Sequence, residues 1–330
     1  MKVCKFGGSS ITTKERLKTI LHLSKSKVRQ VLVFSAIGVT ENSKKLTDLL
    51  IDLAHNKNNI EKYTKNKILI IEKLKFLTKL CGVNFDVEKI INKILKKYKI
   101  NNDRNYLLSR GEYVSCLILS EFLHIHLVPA EKIIFYENKN KINYLKTKNK
   151  LKTVLKKYGQ IIVPGFYGID NKNNLVLMQR GGGDLTGAIV AKCLGASVYE
   201  NWTDTDGIKE INPKIMPSST IKNLSYADLC LLTKCDANVI QHQCAETLKN
   251  TDAILLVKNI NNPKGNFTKV SKNYKGKNKF VTIKKLGKIS YVIAKNFNND
   301  YIIKKVTRNL DLTAKKIYAN LNWLFLFQNA

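Results

Sequence analysis

The sequence has few acidic residues and very few arginines. Lysine and arginine together number 57 against 25 aspartates and glutamates, so the formal net charge is +32. Six of the 57 basic residues are arginines, which leaves 51 lysines. Surfaces that read bases or clamp phosphates favour the forked guanidinium of arginine, and these lysines are spread along the whole chain. We interpret the charge mainly as a composition bias, with binding to RNA or a membrane surface as the alternative.

Paired cysteine motifs and long apolar runs are also lacking. The seven cysteines are scattered without a CxxC pair, which argues against a disulfide framework or zinc site and favours free thiols in the cytoplasm. The start, MKVCKFGGSS, lacks the apolar region of a signal peptide. No apolar run reaches the roughly 20 residues of a membrane span. His124 and His126 have no carboxylate or cysteine cluster beside them, so we expect no metal site.

Hydrophobic residues make up 44% of the chain, which is typical of a globular protein. KVCKF predicts a strand, GGSS a turn, TTKERLKTILHLSKS a helix capped by Thr12 or Thr13, and RQVLVFSAIG a second buried strand. A strand, a helix and another apolar strand indicate a βαβ unit. We therefore expect an α/β fold with a mainly parallel open sheet and helices on both faces.

Further along, residues 42–100 read as Lys-rich amphipathic helices, and another helix is predicted to start near Ser109. QIIVPGFYGIDNKNNLVLM reads as a strand followed by a hairpin. From residue 262 the chain turns polar, with Pro and Gly, which is typical of a linker. We expect a catalytic domain over 1–262, and a linker with a short C-terminal β/α appendage over 263–330.

Three Gly- or Asp-rich motifs follow predicted strands. In KFGGSS, Lys5 precedes glycines whose backbone N–H groups can approach phosphate oxygens, although a tight strand-to-helix turn also explains them. RGGGDLTGA places three glycines between Arg180 and Asp184 before a helix, as an anion-binding loop or a hairpin with a capping Asp. NWTDTDGIKEINPK ends a predicted strand in two carboxylates, where open α/β sheets bind ligands; ordinary turn chemistry is the alternative.

Together with SRGEYVS, GFYG and SYADL, these motifs resemble aspartate kinases, which belong to the amino-acid kinase superfamily. The pieces occur in the order and spacing of that family, over roughly residues 1–260. The family carries two regulatory ACT domains after the catalytic domain. We expect the segment after the linker to hold at most a fragment of that part.

The resemblance also implies roles for individual residues. Lys5 corresponds to the lysine that neutralises the transferring phosphoryl group, and Asp184 to the aspartate that organises this lysine and the substrate. Besides Lys5, the residues implied to contact ATP are Gly7, Gly8, Ser9, Thr203, Asp204, Lys209 and Lys214. Those implied to contact L-aspartate are Ser35, Thr40, Glu112 (at the α-ammonium), Phe166 and Arg180 (at the α-carboxylate).

The implied activity is ATP- and Mg²⁺-dependent phosphorylation of the L-aspartate side chain, the first step towards lysine, threonine and methionine. Glu112, Arg180 and Lys5 supply the anion and the cations that one ammonium and two carboxylates require. A homodimer is possible. The alternatives are another amino-acid kinase, acting on glutamate or acetylglutamate, and a degraded kinase kept as a basic RNA-binding or scaffold protein.

The sequence departs from the family pattern at several positions. Gly183 stands where a serine is usual, Lys209 where an aromatic residue is usual, and Lys214 where the family has the arginine of DPR. Asn238 replaces a lysine that contacts the nucleotide. These departures concern the ATP side, so nucleotide affinity and rate are the properties in question.

Overall fold

The computed structural model describes residues 1–40, 44–138, 141–179, 181–235, 239–286, 289–296, 298, 300–306 and 309–321. The chain forms two compact units, Met1–Asp204 and Thr205–Ala330. The predicted domain boundary near residue 262 stays a prediction. Among the helices in these ranges, none is long and apolar enough to cross a membrane.

The first unit alternates strands and helices along the chain. Its strands are β1 (Lys2–Phe6), β2 (Arg29–Phe34), β3 (His126–Leu127), β4 (Tyr136–Asn138), β5 (Lys141–Ile142), β6 (Ile161–Pro164), β7 (Tyr167–Ile169), β8 (Leu175–Leu177) and β9 (Val198–Thr203). Its helices are α1 (Lys14–Ser24), α2 (Leu46–His55), α3 (Ile60–Cys81), α4 (Val87–Asn101), α5 (Arg104–Leu123), α6 (Tyr144–Tyr158) and α7 (Gly182–Leu194). Short 3₁₀ turns span Gly8–Ile11 and Ala130–Lys132.

Five strands of this unit form a parallel sheet in the order β9-β1-β2-β6-β3. The apolar side chains of β1 and β2 are fully buried, as in parallel sheets that helices cover. Phe6 at the end of β1 lies beside Phe34 of β2 and Trp202 of β9. The expected α/β fold is therefore confirmed, and the segments after these strands meet at one edge of the sheet.

Local signals account for most element boundaries in this unit. The Thr13 hydroxyl accepts a hydrogen bond from the backbone N–H of Arg16 and caps α1, as predicted. The hairpin β7–β8 is also present, as an antiparallel pair. The predicted start of α5 near Ser109 was wrong, because Asp103 caps the backbone N–H of Tyr106 and begins the helix earlier.

The described residues of the second unit form six strands and three helices. Its elements are β10 (Asn223–Ser225), α8 (Tyr226–Lys234), α9 (His242–Lys249), β11 (Ile254–Asn259), β12 (Thr268–Ser271), β13 (Phe280–Leu286), β14 (Ile289–Lys295), β15 (Tyr301–Val306) and α10 (Leu310–Leu321). β12 pairs with β10 in parallel and with β11 antiparallel. The polar segment read as a linker thus contains a strand, in which Thr268 and Val270 are buried.

The predicted β/α appendage is built around a small apolar core. β13, β14 and β15 form an antiparallel sheet, and α10 packs against it. Val292, Ala294, Ala314 and Leu321 are among the residues buried between sheet and helix. This part of the second unit is therefore folded around an apolar layer rather than extended along the surface.

Candidate active site

A buried ion pair lies at the edge of the sheet where the three motifs meet. The Lys5 Nζ is 2.6 Å from Oδ1 of Asp184, and both side chains are largely buried. Lys5 belongs to β1, and Asp184 to the first turn of α7. The structure therefore brings together the two residues that the resemblance assigns to phosphoryl transfer, although they are far apart in sequence.

Asn201 completes this cluster, and the sequence reasoning did not single it out. It pairs with Lys5 across β1 and β9, and its Nδ2 donates to Oδ1 of Asp184 at 2.9 Å. The asparagine is fully buried. Its position in a predicted strand, two residues before the TD pair, was the available signal, because a buried amide requires partners.

The glycines after β1 allow two backbone segments to meet. Gly8 begins the 3₁₀ turn, and its carbonyl accepts a hydrogen bond from the Gly38 N–H at 3.0 Å. A Cβ on Gly8 would lie 2.4 Å from the carbonyl oxygen of Ala36, whereas a Cβ on Gly7 meets nothing closer than 3.5 Å. Only glycine fits at position 8. The segment 35–40 after β2 is thereby held against the Gly7–Ser9 loop.

The Gly-rich loop before α7 reaches the same place. Gly181 has φ of 83°, a left-handed conformation that glycine adopts without strain. A Cβ on Gly183 would lie 2.7 Å from the Ser35 hydroxyl and 3.4 Å from Cε of Lys5. Ser35 therefore lies beside the Lys5–Asp184 pair, and the glycine at position 183 leaves room for it. Arg180 falls outside the described residues.

Phe166 has an unusual backbone conformation for a bulky residue. Its φ is 80°, which costs energy in any residue with a side chain. The conformation is held by a hydrogen bond from its N–H to the Thr186 hydroxyl and by one from the Met178 N–H to its carbonyl. Strained residues of this kind cluster at ligand sites, which agrees with the substrate-side position predicted for Phe166.

Glu112 is buried in α5, and its Oε2 has no hydrogen-bond partner among the described atoms. Burial raises its pKa to about 8, against the lowering effects of hydrogen bonds from its own and the Ala36 backbone N–H and of the Arg110 charge. A buried carboxylate oxygen without a donor is costly. The arrangement can accept a cationic group from a ligand.

The residues predicted to bind the nucleotide fall in both units. Thr203 ends β9, and its hydroxyl lies 3.3 Å from Oδ1 of the exposed Asp204. In the second unit the Lys209 ammonium donates to the Thr220 hydroxyl at 2.7 Å, and the Lys214 backbone N–H donates to Oδ1 of Asn212. Asn238 lies outside the described residues. The nucleotide-binding roles remain predictions.

Comparison with known proteins gives the family. The sequence model of the amino acid kinase family matches residues 1–259. The chain belongs to the amino acid kinase family. Among curated proteins, it is 27% identical to aspartokinase 3 of Bacillus subtilis over 299 residues, which cover 82% of this chain and 63% of that protein. It is 28% identical to the chloroplastic aspartokinase 1 of Arabidopsis thaliana over 298 residues, covering 82% and 52%.

Solved structures agree with this assignment. The aspartate kinase of Clostridium acetobutylicum superposes with a TM-score of 0.74 at 27% identity, covering 86% of this chain and 66% of that one. Escherichia coli aspartokinase III, in complex with aspartate and ADP, gives 0.70 at 20% identity and covers 86% and 67%, which supports the shared fold alone. The predicted resemblance to aspartate kinases is confirmed. The chain spans less than two thirds of the length of the two curated relatives.

Proposed function

We propose that this protein is an aspartate kinase, which transfers the γ-phosphoryl group of ATP to the side-chain carboxylate of L-aspartate. The products are 4-phospho-L-aspartate and ADP. The observation that carries the proposal is the Lys5–Asp184 pair beside the Gly7–Ser9 loop, at the edge where the parallel strands end. Ligands of open α/β sheets bind at such edges. Since the cysteines are scattered without a CxxC pair, we also propose a cytoplasmic location.

In this mechanism a carboxylate oxygen of aspartate attacks the γ-phosphorus in line with the departing ADP oxygen. One P–O bond forms while another breaks, so no covalent enzyme intermediate is required. The Lys5 ammonium offsets the charge on the transferring oxygens. Asp184 and Asn201 hold this lysine in position, since Oδ1 of Asp184 accepts from both side chains.

Backbone dipoles support the same step. The N-terminus of α7 carries partial positive charge, and Asp184 lies in its first turn. The 3₁₀ turn at Gly8–Ile11 begins directly after β1. Backbone N–H groups in such turns and helix ends bind phosphate oxygens, so these segments are suited to hold the triphosphate against Lys5.

Substrate recognition rests on the charges of aspartate. The buried Glu112, one oxygen of which lacks a donor among the described atoms, is suited to the α-ammonium group. The Ser35 hydroxyl, beside Gly183 and Lys5, is placed near the reacting carboxylate. Arg180 is assigned to the α-carboxylate on the resemblance alone.

Magnesium fits the site as a companion of the nucleotide. Within the described ranges, no group of three or more His, Cys, Asp or Glu side chains is placed to hold a metal ion. Mg²⁺ in kinases is usually held by phosphates, waters and one or two carboxylates, and Asp184 is the carboxylate that the cluster offers. When bound, the ion neutralises phosphate oxygens.

The test is ADP release measured with ATP and Mg²⁺ across aspartate, glutamate and acetylglutamate as acceptors. We expect turnover with aspartate and little with the others. The Lys5→Ala variant should be inactive, while Lys18→Ala, which removes an exposed lysine on α1, should match the wild type. Preference for another acceptor would reassign the substrate, and salt-sensitive RNA retention without ADP release would favour the non-enzymatic alternative.

A further inference from the structure

A buried lysine on α3 has no carboxylate partner among the residues that the structure describes. The Lys73 side chain is surrounded by protein, with only 3% of the residue exposed, on the same helix as the buried Ile70, Leu74 and Leu77. Its Nζ donates to the Thr40 hydroxyl at 3.2 Å, which is its one polar contact among the described residues. Burial lowers the pKa of this amine to about 8.

Such an arrangement costs free energy, because a buried ammonium is normally paired with an anion. The chain contains an example of the normal case. Lys295, 5% exposed, has its Nζ 2.7 and 2.8 Å from the two carboxylate oxygens of Asp228. Among the described residues, Lys73 has the Thr40 hydroxyl in place of such a carboxylate. Uncompensated charges of this kind are retained where a ligand supplies the counter-charge.

The contact with Thr40 connects Lys73 to the candidate active site. Thr40 ends the described part of the segment after β2, which begins with Ser35 beside Lys5 and is attached to Gly8 through Gly38. One backbone segment thus passes the phosphoryl-transfer pair and then reaches Lys73.

The segment 35–40 also approaches Glu112 of α5, which is the counterpart of Lys73 in charge. The backbone N–H of Ala36 bonds the Glu112 carboxylate, and the hydroxyl of Thr40, four residues later, bonds Lys73. Within the described part of the chain, Glu112 has a carboxylate oxygen without a donor, and Lys73 has an ammonium without an anion. An amino-acid substrate with an ammonium and carboxylates supplies both missing partners.

We propose that Lys73 is a further substrate-binding residue, whose ammonium meets a carboxylate of the amino-acid substrate beside the Thr40 hydroxyl. This inference rests on the proposed function and adds a second cation, besides Arg180, on the substrate side. A structural lysine and a substrate-binding lysine differ in how their replacement changes stability and substrate binding. Replacing an unpaired buried charge with an apolar side chain of similar length should not lower stability, yet it should weaken binding of the substrate.

The experiment compares Lys73→Met, Lys73→Arg and the control Lys75→Met, which removes an exposed lysine of the same helix. We measure aspartate binding by calorimetry, KM for aspartate and ATP, and the melting temperature. Lys73→Met should weaken aspartate binding and raise its KM about tenfold or more, with the KM for ATP and the melting temperature not worsened. Lys73→Arg should recover part of the binding, and Lys75→Met should match the wild type.

Three results would overturn the inference. The first is unchanged aspartate binding in Lys73→Met while the wild type binds and phosphorylates aspartate, which leaves the proposed function intact. The second is a lowered melting temperature or loss of folding in Lys73→Met, which would make Lys73 a structural residue. The third is a wild type that neither binds nor phosphorylates aspartate, in which case the proposed function falls as well.

Discussion

Two buried glutamates of the first unit, Glu200 and Glu112, have opposite surroundings. Glu200 in β9 is 2% exposed, and its carboxylate accepts hydrogen bonds from neighbouring side chains. The donors include the Arg29 guanidinium at 2.9 and 3.2 Å, the Lys2 ammonium at 3.3 Å and the Trp202 indole N–H at 3.1 Å. Glu112 in α5 is 5% exposed, and one of its carboxylate oxygens has no donor within the described ranges. The buried carboxylate of Glu200 is thus fully paired with donors and cations, whereas that of Glu112 is only partly paired.

The pKa values follow this difference. Burial acts to raise the pKa of Glu200, but the hydrogen bonds and charge of Arg29, with help from Lys2, bring it below its ordinary value. Burial instead keeps the pKa of Glu112 at about 8. A compensated buried charge indicates a structural role, whereas an uncompensated one at the edge of a site indicates that a ligand completes it. The comparison leads to four predictions.

Removing the compensated carboxylate should have the largest effect. Glu200→Ala leaves Arg29 and Lys2 without their partner in a largely buried place, and breaking such a pair costs about 3–5 kcal/mol. Urea denaturation should show this loss in the unfolding free energy. At a temperature where the variant is folded, its KM for aspartate should stay normal. An unfolding free energy of Glu200→Ala equal to that of the wild type would contradict a structural role for Glu200.

Lys5→Ala should lower kcat by at least about 10²-fold, as expected for loss of a group that stabilises transferring charge. Steady-state kinetics with saturating ATP and aspartate measures the change. Circular dichroism controls for folding, since Asp184 loses its cation. Turnover close to that of the wild type would show that Lys5 does not act in phosphoryl transfer.

Glu112→Gln should act on binding rather than on stability. The amide keeps the shape but cannot release a proton to form the carboxylate that pairs with the substrate ammonium, so the KM for aspartate should rise about 10- to 100-fold, the value of a charge-assisted hydrogen bond. The unfolding free energy should be unchanged or higher. A loss of stability like that of Glu200→Ala, with a normal KM for aspartate, would show that Glu112 has a structural role and does not bind the substrate.

The fourth prediction concerns the pH dependence of stability. Between the ordinary pKa near 4.5 and the folded value of about 8, native Glu112 keeps a proton that the unfolded chain releases. Stability from this group is therefore lost as pH rises through this window. Relative to Glu112→Gln, the wild type should lose stability as the pH rises from 5 to 8, by at most about 1.4 kcal/mol per pH unit. Parallel unfolding curves from pH 5 to 8 would contradict the assignment.

Much of the fold was accessible from the sequence, because the signals are local. The apolar run of β2, the Thr13 cap of α1 and the turn between β7 and β8 each depend on neighbouring residues. The motifs also identified Lys5 and Asp184, whose pairing the structure confirms. Their roles in binding and catalysis stay predictions.

Two kinds of structural feature could not be predicted from local sequence patterns. One strand, β12, is polar in composition and exists through pairing with β10 and β11, which no local pattern reports. The other kind concerns buried polar side chains. Asn201 and Lys73 read as ordinary members of a strand and of a Lys-rich helix, and only their burial and partners distinguish them. Whether a buried polar or charged side chain has a partner depends on three-dimensional packing, which the sequence pattern does not report.

The most direct test of the central claim is ³¹P NMR of the protein incubated with ATP, Mg²⁺ and L-aspartate. We predict an acyl-phosphate resonance that grows together with ADP, that requires aspartate, and that disappears when hydroxylamine converts the product to the hydroxamate. The Lys5→Ala variant should produce neither signal above background. Absence of the acyl phosphate with the wild type, or release of ADP and inorganic phosphate at the same rate without aspartate, would contradict the account.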